Sequence, residues 1–282
     1  MKQEEMAPSD LAKLTVVYSV PGVEAVTVRR DVPYRTTESG SLCFDVYYPP
    51  GAAESPLPAV LFIHGYSDAA TPNVFGRTFK EMGHPVSWAQ LIAASGVIAI
   101  LYSNRQPVAD LEAILQHLRD HATSLGIDGS RLGVFATSGH VPLALSLLVQ
   151  AERRAVSCAV LVSGYMLDLN GFTSVADMQK SYGFANPCAG RSMDDVRRDV
   201  PMLVVRAGRD QFGVNESLDS FIGGALRRDL PLRLVNHAGA PHAFDLFDDS
   251  EATREIIREI IRFMRFHLSG PAEAGHHNGS NE

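Results

Sequence analysis

The chain has 282 residues, of which 45% are apolar and 20% charged, and its formal net charge is -7. This length suits one large or two small globular domains, and scattered basic residues on an acidic chain argue against nucleic-acid binding. The first six residues lack the basic and apolar regions of a signal peptide, and the most apolar run, residues 97–102, is too short to span a membrane.

Three cysteines, Cys43, Cys158 and Cys188, cannot all pair, and their spacing matches no zinc site. We therefore expect no disulfide framework, and a reducing cytoplasm is the simplest compartment. Gly-rich phosphate loops and flavin or nucleotide motifs are absent from the sequence, so we expect neither a metal nor a cofactor.

The N-terminal part predicts a flexible tail followed by an antiparallel hairpin. Residues 1–12 are polar and are expected to fray. Residues 25–34 and 42–48 have the composition of strands, and the turn-rich residues between them predict a hairpin. A single domain is expected over residues 13–268, with a second flexible tail at 270–282.

From Pro58 onward, short apolar runs alternate with segments of helical period. The predicted strands are 59–63, 97–102, 132–136, 155–162, 202–205 and 232–236. The predicted helices are 88–95, 108–125, 142–151, 218–228 and 251–267. This alternation is typical of an α/β fold with a mostly parallel sheet and helices on both faces. The less regular residues 164–199 predict a small cap inserted at the carboxyl edge of the sheet.

Three polar residues follow predicted strands, where open α/β sheets bind their ligands. Ser138 lies at a strand-to-helix turn, Asp210 follows the strand at 202–205, and His242 lies in a loop after the strand at 232–236. Taken alone, a serine at a strand-to-helix turn is more often a helix N-cap than a nucleophile. In the order Ser, Asp, His, the three predict a nucleophile, an orienting acid and a base.

His237 competes with His242 for the role of base. It lies closer to the end of its strand and has an alternative interpretation as a structural residue. His242 is preferred because the Gly, Ala and Pro residues around it form a loop that can reach over the sheet.

The loop after the first parallel strand contains His64, Gly65 and Tyr66. Acyl transfer needs two backbone N–H groups aimed at the developing oxyanion. We expect these donors to be Tyr66 and Gly139, the residue after the nucleophile, and we expect His64 to brace the loop.

Two positions around Ser138 depart from the Gly-x-Ser-x-Gly pattern of such turns, because Ala136 and His140 replace the glycines. Alanine is a mild change, whereas the imidazole of His140 must find space beside the turn. We expect it first to be accommodated by packing, second to line the pocket, and only third to act in catalysis. His140→Gly is accordingly expected to retain measurable activity.

The chain resembles the dienelactone-hydrolase-like and prolyl-oligopeptidase-like esterase branch of the α/β-hydrolases. The resemblance runs from about residue 43 to residue 267. It is carried by Val-Leu-Phe-Ile-His-Gly at 60–65, Leu-Gly-Ile-Asp-Gly-Ser-Arg-Leu-Gly-Val-Phe at 125–135, Ala-Gly-Arg-Asp at 207–210 and Gly-Ala-Pro-His-Ala-Phe at 239–244. It implies an α/β-hydrolase fold with Ser138 as nucleophile, Asp210 as acid and His242 as base.

These observations predict a serine hydrolase that cleaves esters of small or medium acyl groups through an acyl-enzyme. The candidates for lining its pocket are Gly65, Asn104, His140, Met166 and Tyr182. An oligopeptidase-like peptidase or amidase is one alternative, although such enzymes usually carry a large additional domain. A hydrolase-fold protein that binds a small molecule without turning it over is the other. The expected partner is a small-molecule ester, with no nucleic acid and no membrane.

Overall fold

The computed structural model describes residues 6–52, 55–69, 71–149, 156–210 and 213–269. The tail predicted at 270–282 lies outside these ranges, and so do residues 1–5 of the tail predicted at 1–12. The end of the predicted helix 142–151 and the first residue of the predicted strand 155–162 also lie outside them. Residues 6–12 are described, and they include helix α1, Pro8–Leu11. Ala12 is buried and its carbonyl accepts a hydrogen bond from Gly83 N–H at 2.8 Å, so the last residue of the predicted tail is held against the domain, whereas residues 7–10 are exposed.

One sheet of eight strands runs through the described residues. The strands are β1 Thr27–Thr37, β2 Gly40–Tyr48, β3 Leu57–Phe62, β4 Ile98–Tyr102, β5 Ile127–Thr137, β6 Cys158–Val162, β7 Met202–Ala207 and β8 Leu232–His237. Their order across the sheet is β1-β2-β4-β3-β5-β6-β7-β8. β1 and β2 form the predicted antiparallel hairpin, β2 pairs antiparallel with β4, and β3 to β8 are mutually parallel.

Helices connect the parallel strands and cover both faces of the sheet. After α1, they are α2 Thr71–Phe75, α3 Gly83–Ala94, α4 Pro107–Asp120, α5 Val141–Leu145, α6 Ser174–Tyr182, α7 Val214–Arg227, α8 Phe244–Phe247 and α9 Glu251–Leu268. The predicted helix 88–95 begins five residues earlier as α3, and the predicted helix 108–125 ends at Asp120, with a separate 3-10 turn at Thr123–Leu125.

The sheet separates two apolar layers. One contains side chains of α4, α5 and α7, and the other contains side chains of α3 and α9. Strands covered on both faces can be apolar at nearly every position, and all five residues of β6 are buried. Because β3 to β8 run in the same direction, their carboxyl ends meet at one edge, where Ser138, Asp210 and His242 lie.

The segment predicted as a cap, residues 164–199, contacts this edge through Ala185, whose N–H donates to the Gly65 carbonyl at 2.8 Å. It contains α6 and a 3-10 turn at Met193–Asp195. The carboxylate of Asp168 accepts hydrogen bonds from the N–H groups of Val175 and Ala176, at 2.8 and 3.0 Å. These bonds satisfy donors that the first turn of a helix leaves free.

Candidate active site

Ser138 lies where β5 turns into a helix. β5 ends at Thr137, residues Ser138–His140 form a 3-10 turn, and α5 begins at Val141. We call residues 137–141 the elbow. Ser138 has φ +52°, a left-handed conformation that costs a residue with a side chain about 1–3 kcal/mol and persists where surrounding structure enforces it. The sharp turn presents the hydroxyl at the edge of the sheet.

A chain of hydrogen bonds joins the three residues predicted at the strand ends. Ser138 Oγ lies 2.9 Å from His242 Nε2. His242 Nδ1 lies 2.8 and 3.0 Å from the two carboxylate oxygens of Asp210, whose side chain is fully buried. A carboxylate only accepts, so Nδ1 carries the proton and Nε2 can accept one from Ser138. The structure therefore brings all three together with geometry suited to activating a hydroxyl.

His237 points into a different network. Its Nε2 lies 3.0 Å from Asp248 Oδ2 and 3.2 Å from Thr253 Oγ1, at the start of α9. Of the two histidines in this loop region, His242 is therefore the one beside Ser138, and His237 ties the end of β8 to α9.

The loop after β3, residues 63–67, is fixed through two consecutive peptide groups, and we call it the β3 loop. The His64 carbonyl accepts from Asn104 Nδ2 at 2.7 Å. Gly65 N–H donates to His140 Nδ1 at 2.9 Å, and the Gly65 carbonyl accepts from Ala185 N–H at 2.8 Å. The remaining polar group of these two peptides is Tyr66 N–H, for which no acceptor is found in the part of the chain that the structure describes.

His64 itself is buried and braces this loop, as the sequence predicts. Its Nε2 lies 3.2 Å from Asp68 Oδ1, and its ring stacks on Phe79 with centroids 4.2 Å apart. The Asp68 carboxylate also accepts from the backbone N–H groups of Phe79 and Asn104. The side chain of His64 therefore stabilises the β3 loop.

Gly139 follows Ser138 as the second residue of the 3-10 turn, a position whose N–H has no acceptor within the turn. A Cβ at this position would lie 2.4 Å from the Tyr66 hydroxyl oxygen and 3.0 Å from Phe184 Cδ1. Only glycine admits such close aromatic neighbours beside the serine. Burial raises the pKa of Tyr66 to about 12, so its phenol keeps its proton near neutral pH.

The residues predicted to line the pocket differ in their surroundings, and their role in a pocket stays a prediction. Asn104 is fully buried beneath the β3 loop, where its Nδ2 donates a hydrogen bond to the His64 carbonyl. Met166 is also fully buried, and its N–H donates to Ser217 Oγ, whereas Tyr182 lies 57% exposed at the end of α6. A small cavity that touches Ser138 and His242 is lined by His84, Thr137, Val162, Ser163, Ala243, Phe244 and Asp245.

The buried carboxylate of Asp245 anchors the loop that carries His242. Asp245, three residues further on, accepts from His84 Nε2 and Trp88 Nε1, both at 2.7 Å. The carbonyl of Asp245 also accepts from Val17 N–H at 2.9 Å. These bonds tie α8 to α3 and to the N-terminal segment, and so fix the base of the His242 loop.

We expect Asp245→Ala to lower the free energy of unfolding by about 3–5 kcal/mol, because removing one partner of a buried pair leaves the others unsatisfied. Asp249→Ala is the matched control, since Asp249 pairs with Arg254 at the surface and such pairs contribute less than about 1 kcal/mol. Urea denaturation measures both changes. Equal losses in the two variants would contradict the structural role of Asp245.

The same contribution should depend on pH. Burial acts to raise the pKa of Asp245, but the attraction of His84 and the hydrogen bonds from His84 and Trp88 outweigh it, so this pKa lies below its ordinary value. A carboxyl group whose pKa is lowered by folding stabilises the fold above its unfolded-state pKa, about 4, and loses that effect as the pH falls through the lowered value. The difference between wild type and Asp245→Ala should therefore shrink in acid.

Comparison of the sequence with protein-family models and with curated protein sequences finds no match. Comparison with solved structures finds matches. One of two fungal esterases from Rhizomucor miehei matches with a TM-score of 0.68 at 15% identity, covering 95% of this chain and 93% of that one. Esterase 2 of Thermogutta terrifontis phosphonylated by sarin matches at 0.66 with 18% identity, covering 90% and 99%. Brefeldin A esterase, a bacterial homologue of human hormone-sensitive lipase, matches at 0.69 with 16% identity, covering 91% and 81%.

These similarities and the sheet order confirm the predicted α/β-hydrolase fold. At such identities they establish the fold alone, and the narrower resemblance to the dienelactone-hydrolase and prolyl-oligopeptidase branch stays a prediction. Within the described ranges, no helix is both long and apolar enough to cross a membrane. No group of three or more His, Cys, Asp or Glu side chains in the same residues is placed to hold a metal ion.

Proposed function

We propose that this chain is a serine carboxylesterase that hydrolyses esters of small or medium acyl groups. The observation that carries the proposal is the hydrogen-bonded chain from Ser138 Oγ through the His242 ring to the buried carboxylate of Asp210. Each of the three residues comes from the end of a different strand, so no local turn motif explains why they meet. The esterases among the structural neighbours support the same reaction class.

Acylation begins when Ser138 Oγ attacks the carbonyl carbon of the ester and His242 Nε2 takes the hydroxyl proton. The carbonyl oxygen becomes an oxyanion and accepts hydrogen bonds from the N–H groups of Tyr66 and Gly139. The bond to the alcohol oxygen then breaks, and His242 returns the proton to the departing alcohol. Asp210 holds the imidazole in its tautomer and stabilises the imidazolium that forms between these steps.

Deacylation repeats the sequence with water. His242 takes a proton from water while the water oxygen attacks the acyl carbon, and the same two N–H groups bind the second oxyanion. The bond between Ser138 Oγ and the acyl carbon breaks, Oγ regains the proton from His242, and the carboxylic acid leaves.

The assignment of Tyr66 N–H as an oxyanion donor rests on its lack of a hydrogen-bond acceptor. Tyr66 N–H has no acceptor among the described residues, although the other polar groups of the two peptides beside it are bonded. A donor held in place without a partner can bind charge that develops in the transition state without reorganising. The β3 loop and the elbow therefore supply one donor each.

A fluorophosphonate probe tests the proposal, because it reacts with an activated serine and leaves a covalent adduct. We expect wild type to gain one adduct by intact-mass spectrometry, and Ser138→Ala to gain none. Ser124→Ala is the matched control and should label like wild type, since Ser124 is exposed and its hydroxyl donates to the His121 carbonyl.

An unlabelled wild-type protein would favour the hydrolase-fold binder over the enzyme. A panel of p-nitrophenyl esters of increasing acyl length, run beside p-nitroanilides, then addresses acyl size and the choice between esters and amides. We expect turnover of the short and medium esters and much slower turnover of the anilides. The predicted cytoplasmic location and single-domain organisation remain predictions.

A further inference from the structure

We propose that His140, the residue that departs most from the usual elbow pattern, is a positioning residue that holds the β3 loop in register with the elbow. The inference rests on the proposed esterase function, because the groups that it aligns are the two oxyanion donors. The side chain itself need not touch substrate.

The hydrogen bond between His140 and Gly65 joins two residues that are each adjacent to a proposed oxyanion donor. His140 follows Gly139, one proposed donor, and its Nδ1 accepts from the N–H of Gly65, which precedes Tyr66, the other donor. A single hydrogen bond of 2.9 Å therefore links the segments that carry the two donors. A Cβ at Gly65 would lie 3.0 Å from the Gly139 carbonyl oxygen and 3.1 Å from His140 Cα, which shows how closely the two backbones approach.

The imidazole is held in one orientation by its surroundings. Its ring lies edge-on to Tyr66 and Phe79, with centroids 5.0 and 5.1 Å away, and 5.2 Å from His64. Burial, followed by the nearby His64 and His84, holds the pKa of His140 well below its usual range, so the ring stays neutral. A neutral ring with its proton on Nε2 keeps Nδ1 as an acceptor, which an imidazolium could not offer.

This bond anchors one of the two peptides that determine where Tyr66 N–H points. The peptide between His64 and Gly65 is held by Asn104 on its carbonyl side and by His140 on its N–H side. Without the His140 acceptor, that peptide keeps a single anchor and can rotate about it. Because oxyanion stabilisation depends on donors preorganised for the transition state, the loss should fall on kcat more than on KM.

The test compares two replacements of similar size. His140→Leu removes the acceptor, whereas His140→Asn keeps an oxygen near the place of Nδ1. With p-nitrophenyl acetate, we expect kcat of His140→Leu to fall roughly 10- to 100-fold, part of what losing a whole donor costs, with little change in KM. His140→Asn should recover most of that loss. His121→Leu, at an exposed histidine, is the matched control and should leave both constants unchanged.

A second readout is independent of turnover. Hydrogen exchange of the Gly65 amide, followed by NMR, should be slow in wild type, faster in His140→Leu and slow again in His140→Asn. If His140→Leu does not fold, His140→Ala replaces it in both measurements. Equal kcat in the Leu and Asn variants, or Gly65 exchange that does not respond to loss of the acceptor, would overturn the inference.

The experiments distinguish failure of the esterase proposal from failure of the proposed role of His140. A wild-type protein that neither hydrolyses esters nor reacts with the fluorophosphonate rejects the esterase, and the positioning of catalytic donors falls with it, even if Gly65 exchange still responds to His140. A wild-type enzyme that is active and labelled, with His140→Leu as fast as wild type, rejects only the role of His140.

Discussion

Replacing Ser138 by alanine should lower kcat for p-nitrophenyl esters by roughly 10⁴- to 10⁶-fold, the range seen when a triad nucleophile is removed. The alanine cannot form the acyl-enzyme, and the remaining donors and His242 have no nucleophile to assist. The fold should persist, because Ser138 Oγ is bonded only to His242 among the described residues. Steady-state kinetics and circular dichroism of the purified variant measure the two parts of this expectation.

Ser163 offers a demanding control for that experiment. It also has positive φ, +44°, its hydroxyl is buried, and it lines the same cavity beside Ser138. No hydrogen-bond partner for its hydroxyl is found in the described residues, so it lacks the base that would activate it. Ser163→Ala should change kcat less than about tenfold, the scale of an indirect effect rather than the loss of a triad member. A Ser138→Ala variant that retains activity while Ser163→Ala loses it would reassign the nucleophile.

Replacing His242 by alanine should reduce kcat about as severely as losing Ser138, since a serine hydroxyl without a base remains protonated and unreactive. The double variant Ser138→Ala, His242→Ala should be no worse than either single variant, because the two residues act as one unit.

His237→Ala provides the matched comparison in the same loop region. His237 is bonded to Asp248 and Thr253, so its loss should lower stability and leave most of the activity. Thermal denaturation and ester kinetics, run on both histidine variants, separate these effects. An inactive but well-folded His237→Ala protein would mean that His242 is not the base.

Much of the sheet can be predicted from hydrophobic pattern because it is buried on both faces. Runs such as residues 59–63 and 202–205 are apolar throughout, and the structure contains strands at both. The short elements are harder to predict: α2 at Thr71–Phe75 and α8 at Phe244–Phe247 are each about one turn long. Segments of that length carry too few residues for a helical period to emerge, and tertiary contacts decide their conformation.

Some residues of the candidate site can likewise be predicted from the sequence, and others cannot. Ser138, Asp210 and His242 are predictable because the ends of parallel strands must meet at one edge. Asn104 also follows a strand, yet its side chain lies beneath the β3 loop and donates to the His64 carbonyl. Its position after a strand does not reveal this structural role. The pair of His84 and Asp245 is 161 residues apart in sequence, and neither residue belongs to a motif that could have signalled it.

The bond between Ala185 N–H and the Gly65 carbonyl has a consequence for how this protein could diversify. Ala185 belongs to residues 164–199, the segment that the sequence predicts to be a cap at the strand ends. In this chain, that segment also anchors the peptide that bears one of the proposed donors. We therefore expect that exchanging this segment for a foreign one would change turnover as well as substrate preference. Such a chimera would need a backbone N–H at the position of Ala185, and therefore a residue other than proline, to keep the Gly65 carbonyl bonded.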